Sequence, residues 1–175
     1  MRRAERADAA ALAELAALTF PLACPPHTTD EAKAAFIARH LSRESFEDYL
    51  VDPARTLFVA VADDGVTLLG YTMLIAGDPE DADVAAAVRL RPSIELSKCY
   101  VHPDAHGAGA ASALLAASLA EAADSGAAGM WLGVNQLNER AQRFYRKQGF
   151  TRVGTKRFLV GDRYEDDFVF ERPLP

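Results

Sequence analysis

The residues best arranged for chemistry lie where the strand-like run Ile94–Val101 (IELSKCYV) enters His102-Pro-Asp-Ala-His106-Gly-Ala-Gly-Ala-Ala111 and a helical pattern begins at once. Small residues at 107–111 let a ligand approach the backbone closely. The first amides of a helix have no intrahelical acceptor, and the helix dipole adds partial positive charge at the same end. Together these make an anion site suited to a pyrophosphate. A tight strand-to-helix turn with no ligand has the same composition, so the loop alone does not decide. It is not a dinucleotide fingerprint, because the preceding half of the chain does not alternate strand and helix. It is not a P-loop, because no Lys-Ser/Thr pair follows the glycines.

The elements that must position this loop can be read around it. Residues 1–4 suggest a short first strand, and Leu12, Leu15, Ala16 and Thr19 fall at helical spacing over Asp8–Phe20. The stretch Pro21-Leu-Ala-Cys-Pro-Pro26 predicts a break. Thr28, Thr29 and Asp30 are N-cap candidates for a second helix to Leu41, and Ser42 starts a third that ends before Pro53. Arg55–Ala62 and Thr67–Ile75 predict a hairpin turned at Asp63-Asp-Gly65. Gly77–Pro92 is an acidic insert with a short helix over Val84–Val88. The strand at 94–101 and the helix Gly109–Asp124 follow, then a strand over Gly129–Asn135 and a helix over Leu137–Lys147 with Gly149 as its C-terminal cap. Thr151–Val160 and Tyr164–Glu171 close the chain as a strand pair turned at Gly161-Asp162. The fold class expected is α/β (α+β), a mixed central sheet of about six to seven strands with helices on both faces, in one domain over residues 1–175.

His106, Gly107, Ala108, Gly109, Ala110 and Ala111 resemble, in order, the acyl-CoA motif Arg/Gln-x-x-Gly-x-Gly/Ala of the GNAT N-acetyltransferase superfamily, with His106 in place of the usual Arg or Gln. Asn138-x-x-Ala141-x-x-Phe144-Tyr145-x-x-x-Gly149-Phe150 resembles the family's second element, in the right order and at the right separation. The resemblance covers the chain from about residue 55 to the end, and more loosely from residue 1. It implies the GNAT fold, acetyl-CoA as co-substrate and no metal. Backbone amides do most of the phosphate binding in such proteins, so His106 should weaken cofactor binding only modestly.

An alkylamine has a pKa of about 10.4 and a thiol one of about 8.5. Acetyl transfer therefore needs a proton acceptor, an oxyanion donor and a proton donor to sulfur. The resemblance implies Glu95 as general base, directly or through water; a solvent-facing or substrate-orienting carboxylate is the alternative. It implies Tyr145 as general acid, the alternative being a tyrosine that only positions the cofactor. On a helix with Leu137, Ala141 and Phe144 along one face, Tyr145 points about 100° away and need not be core. The resemblance also implies that a backbone amide of the Cys99-Tyr100-Val101 segment meets the thioester carbonyl. Cys99 is either a buried small residue or, less simply, an acyl-cysteine nucleophile with no visible histidine partner. Asn138 should bond the pantetheine or the helix start, and Asn135 is a weaker candidate.

The acceptor is less legible. Met130-Trp-Leu-Gly-Val-Asn135, Gln142–Phe150, Phe158–Asp162 and Asp166-Asp167 resemble bacterial Pai-type spermidine/spermine N-acetyltransferases, which implies a polyamine. Trp131 also reads as core packing. Asp78, Glu80, Asp81 and Asp83, with Glu44, Glu47 and Asp48, would suit a polycation, although a solvated acidic loop has the same look. A protein N-terminus or lysine side chain, and a non-catalytic acyl-CoA-binding module, stay open as alternatives.

Composition sets outer bounds. Nineteen basic against twenty-five acidic residues give a net charge of −6, which argues against nucleic acid as a partner. No apolar run reaches the length of a membrane span. Asp8 and Glu14 interrupt the alanine-rich start, so it reads as an amphipathic helix and not a signal peptide. Cys24 and Cys99 stand alone, without CxxC or Cys/His spacing, which predicts no metal site and a reducing, cytoplasmic setting. A homodimer is neither required nor excluded.

Overall fold

The computed structural model describes residues 1–175. Seven strands form one sheet: β1 (Arg2–Arg3), β2 (Arg55–Val61), β3 (Leu68–Ala76), β4 (Ser93–Val101), β5 (Gly129–Asn135), β6 (Thr151–Val160) and β7 (Arg163–Pro173). Their order is β1-β2-β3-β4-β5-β7-β6. Every neighbouring pair is antiparallel except β4–β5. That parallel pair is short. It runs from Ser93↔Gly129 to Glu95↔Trp131 and stops. Beyond Glu95 the two strands part, and backbone groups of β4 on that side have no strand partner. Unpaired backbone polar groups call for a ligand or water, so the gap in mid-sheet is where a site belongs.

The helices are α1 (Ala9–Ala23), α2 (Asp30–His40), α3 (Arg43–Val51), α4 (Ala82–Ala87), α5 (Ala110–Asp124) and α6 (Glu139–Lys147). The alternation of β5 separates the two faces. Met130, Leu132 and Val134 pack into a core with Leu115, Tyr145 and Phe150 under α5 and α6. Trp131 faces the other way and packs with Val84, Val88 and Val169 beneath α4, the core role foreseen for it. On that second face α1 and α3 cover β2 and β3 through Leu12, Phe20, Phe46 and Tyr71. Thr29 and Ser42 cap α2 and α3 by accepting the Ala32 and Ser45 amides, which is why those helices start where the sequence placed them.

Two expectations are corrected. The first helix does not end at Phe20 but runs on to Ala23 with Pro21 inside it. Pro21 lacks the N–H that would bond the Ala17 carbonyl, a cost confined to one turn near the helix end. Burial of Leu12, Leu15, Ala16, Thr19 and Phe20 on one continuous face offsets it. The short helix of the insert is Ala82–Ala87 and not Val84–Val88, because the Asp81 side chain accepts the Asp83 and Val84 amides and fixes an earlier start.

Phe46 is fully buried, with its ring edge-on to Tyr49 and Tyr71 at 5.8 and 5.6 Å. Phe46→Ala is expected to lower stability by about 3–5 kcal/mol, the range for a truncated core aromatic. Urea unfolding followed by circular dichroism measures it, and a loss below about 1 kcal/mol would show that this layer is not packed as described.

Candidate active site

The loop after β4 builds the first half of the site. His102 caps a 3-10 turn at Pro103–Ala105, and Gly107 and Gly109 take φ of 85° and 83°. A side chain rarely adopts that backbone, and a Cβ added at either glycine would meet nothing within 4 Å. The glycines thus leave open space in front of the α5 N-terminus, whose first amides have no intrahelical acceptor. His106 is exposed, and its Nε2 lies 3.1 Å from the Val101 carbonyl oxygen. It ties the loop back to β4. A groove of about 410 Å³ runs from this loop past Thr19 and Leu22 to α6. His106, Gly107, Gly109, Ala110 and Ala111 line it, and Ala108 does not. Ser112, Arg140 and Phe144 also line it and were not foreseen. Arg140 sits in the first turn of α6 with an exposed side chain, a position only the folded chain brings opposite the loop. The donor set, free amides and open glycine positions with one nearby guanidinium, fits the diphosphate of an acyl-CoA.

The groove leads to the parting of β4 and β5. The Asn138 side chain accepts the Ala141 amide at 3.0 Å, so it caps α6, one of the two roles foreseen for it. Gln142 was not foreseen; its Nε2 donates to the Asn135 and Gln136 carbonyls at 3.2 and 2.9 Å and holds the turn before α6. Tyr145 is not a helix-surface residue. It is 9 % exposed and packs against Phe144 and Phe150, because α6 lies with this face on the sheet. Its hydroxyl reaches the parting and sits beside the Cys99 thiol. Burial raises the Tyr145 pKa well above the ordinary tyrosine value and pushes the Cys99 thiol up to about 11. Burial disfavours the Cys99 thiolate and no hydrogen bond joins Cys99 to a histidine, which supports the reading as a small strand residue over that as an acyl-cysteine nucleophile.

A second cavity, of about 240 Å³, opens on the α1–α2 side of the parting. Glu95, Lys98, Lys156, Glu165 and Asp167 bring charge to it, and Phe20, Phe36 and Phe158 give it an apolar wall. Burial raises the Glu95 pKa, against the pull of Lys156, Lys98 and Arg55. Burial likewise raises Asp167 to about 6 and lowers Lys98 to about 8. Lys156 and Asp167 face each other across β6–β7 and sit over Gly133, where a Cβ would come within 2.6 Å of Lys156 Cε. The roof is fixed by contacts between distant segments. Phe36 stacks on Phe20 and meets Phe158 edge-on, His27 bonds Glu165 at 2.8 Å, and the hairpin turn at Gly161 abuts Ala32.

The acidic insert is elsewhere. Asp78 accepts from the Ser93 amide and from Arg91 at the far end of β4, roughly 25 Å of strand from Val101. Asp81 is a helix cap. None of Asp78, Glu80, Asp81, Asp83, Glu44, Glu47 and Asp48 lines either cavity, so their clustering in sequence does not put charge at the mouth. Glu95, Glu165 and Asp167 are the carboxylates that do line the second cavity.

Comparison with known proteins agrees with this architecture. Residues 11–150 match the acetyltransferase (GNAT) family. The chain is 48 % identical over 167 residues to an uncharacterized N-acetyltransferase of Mycobacterium tuberculosis, covering 95 % of this chain and 98 % of that one. The PaiA N-acetyltransferase of Thermoplasma acidophilum, solved with coenzyme A, superposes with a TM-score of 0.78 at 22 % identity, over 98 % of this chain and 96 % of that one. The ribosomal-protein-alanine N-acetyltransferase of Brucella melitensis superposes at 0.65 and 23 % identity, over 99 % and 98 %. With the matched family spanning most of the chain and the loop, groove and parted strands in place, the chain belongs to the acetyltransferase (GNAT) family and is an acetyl-CoA-dependent N-acetyltransferase.

Proposed function

We propose that the protein transfers acetyl from acetyl-CoA directly to the primary amine of a small molecule, with Glu95 accepting a proton from the amine and Tyr145 donating to the departing sulfur. The observation that carries this reading is that the two cavities meet. Ala23, Cys99, Tyr100, Asn138, Ala141 and Tyr145 line both, so a thioester in the groove and an amine in the second cavity would face each other there. The thioester carbonyl would take a β4 amide of the 99–101 segment that points away from β3, free because β4 has no partner on its β5 side beyond Glu95. The roof over the second cavity favours a small acceptor over a protein terminus or lysine, which would need an open groove. The free cysteines favour a reducing, cytoplasmic setting. Thiol release from acetyl-CoA across a panel of small amines and peptides tests the proposal, and exclusive use of peptides would overturn it.

The base assignment has its own test. Burial raises the Glu95 pKa above its ordinary value near 4.5. A base works only when deprotonated, so kcat/KM should rise with pH through that shifted value. Glu95→Gln should remove this limb and lower kcat/KM by about 10²-fold or more. A variant whose pH profile matches the wild type would reduce Glu95 to an orienting charge.

A polyamine is the second reading. Glu95, Glu165 and Asp167 in the acceptor cavity favour it. Glu165 and Asp167 are buried, and such charges are little screened by salt. The preference should therefore show in kcat/KM for spermidine over a monoamine and should persist at raised ionic strength.

A further inference from the structure

The acceptor cavity holds two cations that the transfer chemistry does not use. Lys98 lies on β4 only three residues from Glu95, and in a regular strand the two would point to opposite faces. They do not, because Met73 pairs with Lys98 while Leu74 pairs with Leu96, which leaves Ser97 as a bulge. Glu95 is opposite Ile75 and Lys98 opposite Met73, so both side chains stand on the same face, about 7 Å apart along the sheet. The bulge turns Lys98 from the α5 core into the acceptor cavity beside the candidate base.

Lys98 is poorly compensated there. No carboxylate oxygen comes within 4 Å of it, and none comes within 4 Å of Lys156. The Lys98 ammonium has the Tyr49 ring at 5.5 Å, and Lys156 has the Trp131 and Phe158 rings at 5.5 and 5.8 Å. Aromatic faces tolerate a cation but do not neutralise it. Arg55 stands over the same Tyr49 ring at 4.7 Å and adds like charge. Glu95 attracts Lys98, and desolvation still outweighs it. An inward-facing ammonium without an ion-pair partner is costly unless a ligand supplies the anion.

We infer that the acceptor is an amino carboxylate with an apolar body, its amine directed to Glu95, its carboxylate to Lys98 and its side chain to the Phe20, Phe36 and Phe158 wall. The inference rests on the proposed transfer to a small amine and narrows its acceptor. A polyamine would answer Glu165 and Asp167 but would add cations beside Lys98 and Lys156 and leave Lys98 without an anion. A plain alkylamine would leave Lys98 without an anion. An amino carboxylate meets both charges and the apolar wall.

The experiment uses the intact protein with acetyl-CoA and matched acceptors: phenylalanine, leucine, phenethylamine, isopentylamine, and spermidine. Each amino acid should exceed its decarboxylated amine in kcat/KM by about 10- to 100-fold, the size of one hydrogen bond to a charged group. Lys98→Met should collapse that ratio towards one, and Lys98→Arg should keep part of it. Circular dichroism establishes that each variant is folded. A Lys98→Met that does not fold leaves the wild-type ratios and Lys98→Arg to decide. Decarboxylated amines or spermidine used as well as the amino acids would overturn the inference while leaving small-amine transfer intact, as would an unchanged ratio in folded Lys98→Met. Thiol release with none of these acceptors, but with peptides, would overturn both.

Discussion

A Tyr145→Phe protein should bind acetyl-CoA much as the wild type does and turn over about 10²–10³-fold more slowly, the loss expected when one donor to developing charge is removed. The change deletes only the hydroxyl, and the ring stays packed between Phe144 and Phe150. Desolvation raises the phenol pKa well above 10, which has two consequences. The phenol remains protonated throughout the working range, so it is always a donor. It is also a weaker acid than a coenzyme thiol, whose pKa is about 8.5, so complete proton transfer to the sulfur runs uphill. Tyr145 is then best read as a hydrogen-bond donor that stabilises the departing thiolate, with full protonation completed later. Acyl donors with more acidic thiols leave more readily and need that donor less, so the penalty of Tyr145→Phe should shrink with them. Steady-state kinetics with two thioesters of different thiol pKa measures this. A near-wild-type kcat with acetyl-CoA would leave Tyr145 only a positioning role.

The sequence carried the cofactor side of this site better than the acceptor side, for a physical reason. The loop at 106–111 and the helix after it are contiguous, so local composition reports the open glycine positions and the free amides directly. Trp131, read as core packing at the start of its strand, does pack against a core. The acceptor cavity is assembled from α1, α2, β4, β5 and the β6–β7 hairpin, and no short window contains it. Lys156 and Asp167 meet over Gly133 only through the β6–β7 register and the pairing of β7 with β5. The bulge at Ser97 is a property of two strands at once. Read alone, IELSKCYV puts Lys98 on the face opposite Glu95, and only the pairing with β3 reverses it. Acidic residues close in sequence were a poor guide to acidic residues close in space, since Asp78 and Asp81 are occupied by Arg91, Ser93 and a helix cap. Pro21 was over-read for a similar reason. Its local cost is real, but burial against β3 and β4 is invisible in the dipeptide signals that mark a break.

Gly109→Trp is expected to abolish acetyl-CoA binding in a protein that still folds. Gly109 is the N-cap of α5, with φ of 83°, and an added Cβ has nothing within 4 Å. The empty space is the groove itself, so an indole there would occupy the diphosphate position without pressing on the protein. The left-handed backbone adds about 1–2 kcal/mol of strain for any side chain, a cost a domain of this size can absorb. Gly109→Ala isolates that strain. It should lower stability by the same amount and weaken acetyl-CoA binding only partly, because one methyl group leaves most of the groove free. Calorimetric titration of both proteins, each first shown to be folded by thermal unfolding, separates the two effects. Affinity retained in folded Gly109→Trp would mean that the diphosphate does not lie at the α5 N-terminus, and the groove from His106 to Tyr145 would lose its assignment.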